Sequence, residues 1–137
     1  IILRQNINKD YPEVKPVTST KEILNARKVC REVYLDEKIE NYITDIVFAS
    51  RYPNDYKLKK FANLISYGGS PRATINLAMA AKAYAFIKRR GYVIPEDVRA
   101  VAPDVMRHRI GLTYEAEAEN ITTEEIINEI LNIVEVP

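Results

Sequence analysis

The sequence predicts an all-α fold, a small helical bundle of about five helices with at most a minor strand element. Apolar residues recur at three- and four-residue spacing along most of the chain. Hydroxyl-led caps or a proline start precede most of those stretches. Glycine is scarce, 4 in 137 residues, which leaves too little material for the tight turns of a sandwich or barrel. A chain of this length, 47% hydrophobic and 28% charged, supports one buried core.

Residues 1–17 read as a connector from an absent upstream domain. Asn6, Asn8, Asp10, Pro12 and Pro16 punctuate them, and Ile1-Ile2-Leu3 lacks an initiating Met, as expected of a piece of a longer protein. Residues 18–137 form the helical domain. Ser19-Thr20-Lys21-Glu22 has capping-box spacing and predicts a helix over roughly 20–32 burying Ile23, Ala26, Cys30 and Val33. Asp36 caps a second helix, with Ile39, Tyr42, Ile43, Ile46 and Val47 on its inner face, ended by Tyr52-Pro53-Asn54-Asp55. Residues 57–67 suggest a short irregular helix. Ser70 as N-cap and Pro71 at the first helical position open an Ala-rich central helix over roughly 71–90, closed by Gly91 with Lys88, Arg89 and Arg90 at its dipole end. Tyr92-Val93-Ile94 is an extended link, and Pro95-Glu96-Asp97 starts a helix that Pro103 is expected to break or restart. Residues 110–114 suggest a brief strand and 115–120 an acidic loop. Thr122-Thr123-Glu124-Glu125 caps a last helix burying Ile126, Ile127, Ile130, Leu131 and Val134.

The net charge of +1 conceals a strong asymmetry. Residues 51–110 carry twelve basic and four acidic side chains, whereas residues 111–137 carry seven Glu and no Lys or Arg. The acidic segment is expected to fold back on the basic body or to meet a separate partner. No apolar run is long enough to span a membrane. The lone Cys30 cannot form an internal disulfide, which fits a reducing compartment and a cytoplasmic location.

Most chemistry is excluded by inventory. One His and one Cys supply neither a zinc set nor a credible thiol–imidazole pair, and His108 reads as a packed or surface residue. No Gly precedes a Lys, so there is no P-loop. Val33-Tyr34-Leu35-Asp36-Glu37 resembles a magnesium-holding strand, but Asp36 has a capping role there. One position breaks a local rule. Arg72 places a cation in the first turn of a helix, where the dipole favours anions. Free N–H groups, the positive dipole end and a guanidinium together suit a phosphate. Spacing alone leaves open whether Arg72 meets a phosphate, reaches solvent or pairs with a glutamate of the tail.

Three segments in order carry a resemblance: Gly68-Gly69-Ser70-Pro71-Arg72-Ala73 before an Ala-rich helix, then Arg90-Gly91-Tyr92-Val93-Ile94-Pro95-Glu96-Asp97-Val98, then Met106-Arg107-His108-Arg109-Ile110. From about residue 17 to 137 the chain resembles the C-terminal lid of MoxR-type AAA+ ATPases, whose pattern runs G-[AG]-S-P-R-A, G-[RK]-x-[YF]-V-x-P-x-D-V and an L-x-H-R-like segment. The resemblance implies a helical lid packed beside an upstream α/β core of the same protein and closing over ATP and Mg, both held mainly by that core. It places Ser70, Pro71 and Arg72 at the nucleotide and gives Arg72 the second-sensor role, a catalytic contact to the γ-phosphate. It further implies a ring homo-oligomer with a chaperone-like role toward a protein client. Ile94 departs from the Ser or Thr cap common in that motif. The Walker motifs, first sensor and arginine finger do not occur here, so this chain alone is not expected to hydrolyse ATP. Two other readings stand beside this one. A nucleic-acid-binding module would use Lys88, Arg89, Arg90, Arg99, Arg107 and Arg109, although the acidic tail disfavours it. A protein-interaction bundle would use the acidic 115–125 segment.

Overall fold

The computed structural model describes residues 14–137; the connector reading of residues 1–13 lies outside them. Six α-helices and one two-stranded ribbon surround a single core among the described residues.

Helix α1 (Thr20–Glu32) begins with the predicted capping box: the Ser19 Oγ accepts the Glu22 N–H at 3.3 Å, and the Glu22 carboxylate accepts the Ser19 N–H at 2.7 Å. Its span matches the sequence reading, but its burial does not. No residue of α1 is buried, Ile23 is half exposed, and only Val33, just past its end, reaches the core. Helix α2 (Glu37–Arg51) starts where Asp36 accepts the Lys38 N–H at 3.0 Å, and it buries the five predicted apolar residues.

The irregular helix expected over 57–67 is instead a single 3-10 turn (Lys59–Phe61) followed by strand β1 (Ile65–Tyr67). Helix α3 (Pro71–Ile87) turns Ala73, Leu77, Ala81 and Ala85 inward, a stripe at four-residue spacing whose small side chains let helix α4 (Pro95–Met106) pack along its length. Helix α3 stops short of the predicted end, and Gly91 does not close it. Arg89 does, in the left-handed conformation at φ 59°. The Arg90 N–H bonds the Ala85 carbonyl at 2.9 Å and the Arg89 N–H bonds that of Phe86 at 2.8 Å, the paired bonds of a Schellman stop.

Pro103 does not break α4. The helix runs through it, with Val98, Ala102 and Met106 buried on one side; that packing outweighs the hydrogen bond a proline forfeits. Strand β2 (Gly111–Leu112) pairs antiparallel with β1, Ile65 opposite Leu112 and Tyr67 opposite Gly111. The expected acidic loop contains a one-turn helix, α5 (Tyr114–Ala118), and α6 (Thr123–Ile133) closes the fold behind its capping box.

The acidic C-terminal segment does fold back on the basic body. Arg107 pairs with Glu124, Lys60 with Glu129 at 3.2 Å, and the Arg99 guanidinium donates to the Leu131 carbonyl and to Asn132.

Candidate functional site

The start of α3 is built by close backbone packing. On α2 the buried stripe 39, 42, 43, 46, 47 continues to Ser50, a polar residue at the next inward position. The buried Ser50 hydroxyl donates to the Val47 carbonyl at 2.6 Å and accepts the Gly69 N–H at 2.9 Å. Neighbouring Gly68 lies so close that a Cβ there would stand 2.3 Å from the Ser50 carbonyl oxygen and 2.7 Å from the Arg51 nitrogen. A Cβ on Gly69 would meet Met106, Val47 and Ala73 side chains at 3.2 to 3.3 Å. The two glycines therefore fasten the segment ahead of α3 to the end of α2, and so fix where Ser70, Pro71 and Arg72 emerge.

Ser70 occupies the N-cap position with extended backbone, but its hydroxyl caps nothing, contrary to the sequence expectation. Pro71 brings no N–H, and the first turn contains no acid. Arg72 is exposed and makes no ion pair or side-chain hydrogen bond among the described residues, so the alternative of pairing with a tail glutamate is not realised. The helix end is thus positive, uncapped and accompanied by an unengaged guanidinium. In chemical terms this is a donor set for a phosphate presented from outside the chain. No group of three His, Cys, Asp or Glu capable of holding a metal occurs among the described residues, so this donor set does not fit Mg.

An apolar face adjoins Arg72. Tyr34 and Gly91 bond at 2.9 Å, and Val93 returns to Tyr34 at 3.0 Å, tying the exit of α1 to the exit of α3. The two helices consequently run side by side in the same direction, and Lys82 Nζ donates to the Arg31 carbonyl at 3.1 Å. A cavity of about 170 Å³ between them is lined by Arg27, Cys30, Met79 and Lys82, among others. Toward the N-terminal ends, Ile23, Leu24, Ile75 and Met79 remain more than half exposed. These large apolar side chains at the N-terminal ends of α1 and α3, the end that carries Arg72, are left uncovered among the described residues, as on a contact surface.

The Arg90-to-Val98 segment has a structural role that the sequence reading missed. Arg90 does not serve the α3 dipole. Its guanidinium grips the buried Asp97 carboxylate with both nitrogens, Nη1 to Oδ2 at 2.7 Å. Asp97 also accepts the Ile94 N–H at 3.0 Å, completing half a capping box; Ile94 has no side-chain acceptor for the other half. Burial alone would raise the Asp97 carboxyl, but the Arg90 and Ile94 hydrogen bonds and nearby positive charge outweigh it and hold it below the ordinary carboxylate value. A basic residue and an Asp seven positions apart, spanning a Gly-and-Pro link, was the available signal.

The chain matches the AAA lid domain family over residues 61–130. It belongs to that family. Three of the relatives it matches carry the MoxR name and another is named YeaC; the lid is of the MoxR type. It is 36% identical over 126 residues to the chaperone MoxR1 of Mycobacterium tuberculosis, covering 92% of this chain and 33% of that protein. Over 87 residues it is 40% identical to protein MoxR of Paracoccus denitrificans, covering 59% of this chain and 26% of the relative. A solved structure of a candidate ATPase from Cytophaga hutchinsonii superposes with a TM-score of 0.94 at 43% identity, covering 99% of this chain and 42% of that one. The lid therefore spans about a third of the length of the curated relatives it matches.

Of the six cations a nucleic-acid reading requires, Arg90, Arg99, Arg107 and Arg109 are engaged inside the lid, Arg109 through the Val105 carbonyl at 3.0 Å. Of these six, only Lys88 and Arg89 make no side-chain hydrogen bond or ion pair among the described residues. No described helix is long and apolar enough to cross a membrane.

Proposed function

We propose that this lid closes over ATP held by a nucleotide-binding domain of the same protein, with Arg72 as the second-sensor arginine. The observation that carries the reading is Arg72 itself: an exposed guanidinium, unpaired among the described residues, in an uncapped first turn whose approach Gly68, Gly69 and Ser50 fix. Ser70 and Pro71 border the nucleotide without competing for it, since neither fills the helix end with a side-chain acceptor. The Mg that accompanies ATP belongs to the other domain. Arg72 offsets charge on the phosphoryl group as it transfers, and loses its partner when that group leaves. Lid position thereby follows nucleotide state. The exposed Ile23, Leu24, Ile75 and Met79 face seats the nucleotide-binding domain, because a domain that presents phosphate to Arg72 must pass over it. The full protein acts as a cytoplasmic, chaperone-like ring whose cycle this closure drives.

The test is ATP hydrolysis by the full-length protein. Arg72→Ala is expected to lower the rate about 100-fold, the scale of one lost charge-stabilising donor. Arg72→Lys should recover only part, because a point charge cannot reproduce the planar fork. A full-length Arg72→Ala protein that hydrolyses ATP at the unaltered rate overturns the assignment.

A further inference from the structure

Helix α1 is held differently from the other long helices of the lid. Helices α2, α3, α4 and α6 each bury at least four residues, whereas α1 buries none. Its main packing partner is α3, and of its own residues only Ala26 and Cys30 are half-buried. A helix of 13 residues is marginal in water without tertiary packing, so α1 depends on what holds it.

The fastenings are gathered at one end. The buried Val33, the Arg31 carbonyl taken by Lys82, and the backbone bonds that join Tyr34 to Gly91 and Val93 all lie at or just past the C-terminus of α1. Residues 20–29 make no hydrogen bond or ion pair outside α1 and its own cap among the described residues. At mid-length the open cavity of about 170 Å³ places Cys30 opposite Met79 and Ala83, where two closely packed helices would interdigitate. Beyond the cavity, Ile23 and Leu24 are half exposed. The free end is also where the chain enters α1, and it runs beside the first turn of α3, where Arg72 stands. At 1.5 Å per residue α1 is about 20 Å long, so a tilt of about 10° at Val33 carries Ser19 through about 3 Å. Such a tilt exposes no buried residue of α1, which keeps its cost low.

We propose, on the reading that a nucleotide-binding domain presents phosphate to Arg72, that α1 is a lever pivoting at Val33–Tyr34. Its load is that domain. The lid spans about a third of the length of its curated relatives, and whatever precedes Thr20 is joined to the free end of α1. Arg72 meanwhile stays with the lid body, through Gly68, Gly69 and Ser50. Inward tilt covers Ile23 and Leu24 and brings the phosphate to the guanidinium; outward tilt withdraws it. Closure is therefore a change of angle between α1 and α3 inside the lid, in addition to any bend ahead of Thr20.

The test joins Cys30 to the thiol of Ala83→Cys in the full-length protein with bismaleimide linkers of two lengths, the bridge being confirmed by mass spectrometry. A short linker should slow ATP hydrolysis about tenfold or more, and one longer by about 10 Å should leave most of the rate, because it permits the tilt. Ala83→Cys/Cys30→Ala given the same reagents should keep its own rate, which removes the effect of modifying any other thiol. Hydrogen exchange on the unlinked, nucleotide-free protein should be about tenfold or more faster in residues 20–29 than in α2, and a non-hydrolysable ATP analogue should slow it. Full hydrolysis with the short bridge in place overturns the lever, as does equal loss with both linkers, which is the result of a merely damaged lid. Exchange in residues 20–29 as slow as in α2 overturns it, and so does a short linker that reacts with both thiols without bridging them. Arg72→Ala acts on hydrolysis alone, whereas the lever is read in linker length and exchange, so either reading can fail without the other.

Discussion

The glycine pair ahead of α3 offers a graded test of how the motif works. A Cβ on Gly68 would lie 2.3 Å from the Ser50 oxygen, 2.5 Å from its carbonyl carbon and 2.7 Å from the Arg51 nitrogen. These are backbone atoms of a helix end and cannot swing aside, so the Gly68 segment must retreat by roughly 1 Å to restore contact distance, at a cost of about 1–3 kcal/mol. The retreat also stretches the 2.9 Å bond from the Gly69 N–H to the Ser50 hydroxyl, leaving a buried donor poorly satisfied. Gly69→Ala meets only side-chain atoms at 3.2 to 3.3 Å, two of them on Met106 and Val47, and should cost less. Gly91→Ala meets nothing within 4 Å and has no positive φ, so it should be near neutral. Thermal unfolding of the three variants should rank Gly68 as most damaging and Gly91 as least, with Gly68→Ala lowering Tm by about 3–10 °C. In the full-length protein Gly68→Ala should also slow hydrolysis by about 100-fold at temperatures where it stays folded, the effect of a 1 Å misplacement at a reacting group. Equal Tm values for the Gly68 and Gly91 variants would refute the close-packing argument. A destabilised Gly68 variant with unaltered hydrolysis would separate that packing from any role in aiming Arg72.

Arg90→Met should cost about 2–4 kcal/mol in urea unfolding near neutral pH, because it strands the buried Asp97 carboxylate. Asp97 is depressed in the folded lid, so its stabilisation is present above the unfolded carboxylate value and lost as pH falls through the folded one. Arg90→Met should abolish that acid loss, and a variant with an unchanged acid profile would contradict it. Tyr56, pushed up to about 12 by burial and by its hydrogen bond to Asp45, stabilises below its unfolded value near 10 and ceases to do so as pH climbs toward 12. Tyr56→Phe should therefore flatten the alkaline limb of the stability curve, and phenolate absorbance should lose a component that titrates near 12. Arg89→Gly should raise stability by about 0.5–1 kcal/mol in thermal unfolding, because glycine takes the left-handed turn without strain, and an unchanged Tm would contradict that account.

Where local physics decided the outcome, the sequence was readable. The capping boxes at Ser19 and Thr122, the Asp36 cap and the inner faces of α2 and α6 stand as spacing predicts, since each depends on atoms within four residues. The failures trace to competing partners. The apolar period of α1 is real, but periodicity cannot say what covers a face, and among the described residues Ile23 and Leu24 are left more than half exposed. Gly91 marked the end of α3 by habit of residue type, whereas chain geometry put the left-handed turn two residues earlier, on Arg89. The brief strand expected over 110–114 is present as β2, whereas its partner β1 was read as helix because three residues are too short for an alternating pattern to register. Ser50 was legible and overlooked: a hydroxyl on an otherwise apolar stripe asks for a buried partner, and Gly69 is that partner.

These particulars bear on what Gly68-Gly69-Ser70-Pro71-Arg72 encodes. Arg72 is the one charged residue of the five. Gly68 permits a backbone approach that any side chain would forbid, Gly69 donates the bond that sets its distance, Ser70 turns the chain, and Pro71 starts the helix without an N–H of its own. Four of the five residues thus specify where a guanidinium stands relative to the end of α2. If that is their role, α2 is the datum for Arg72, and a change in α2 should reach Arg72 without touching it. Ser50→Ala supplies the case. It removes the hydroxyl, leaves the Gly69 N–H buried without an acceptor at a cost of about 1–3 kcal/mol, and alters neither charge nor nucleotide contact. Full-length Ser50→Ala should lose hydrolysis rate in parallel with, though less than, Arg72→Ala. The double variant should be no slower than Arg72→Ala alone, since a misplaced residue that is absent cannot be misplaced further. Additive losses would mean that Ser50 acts on hydrolysis by some route other than Arg72.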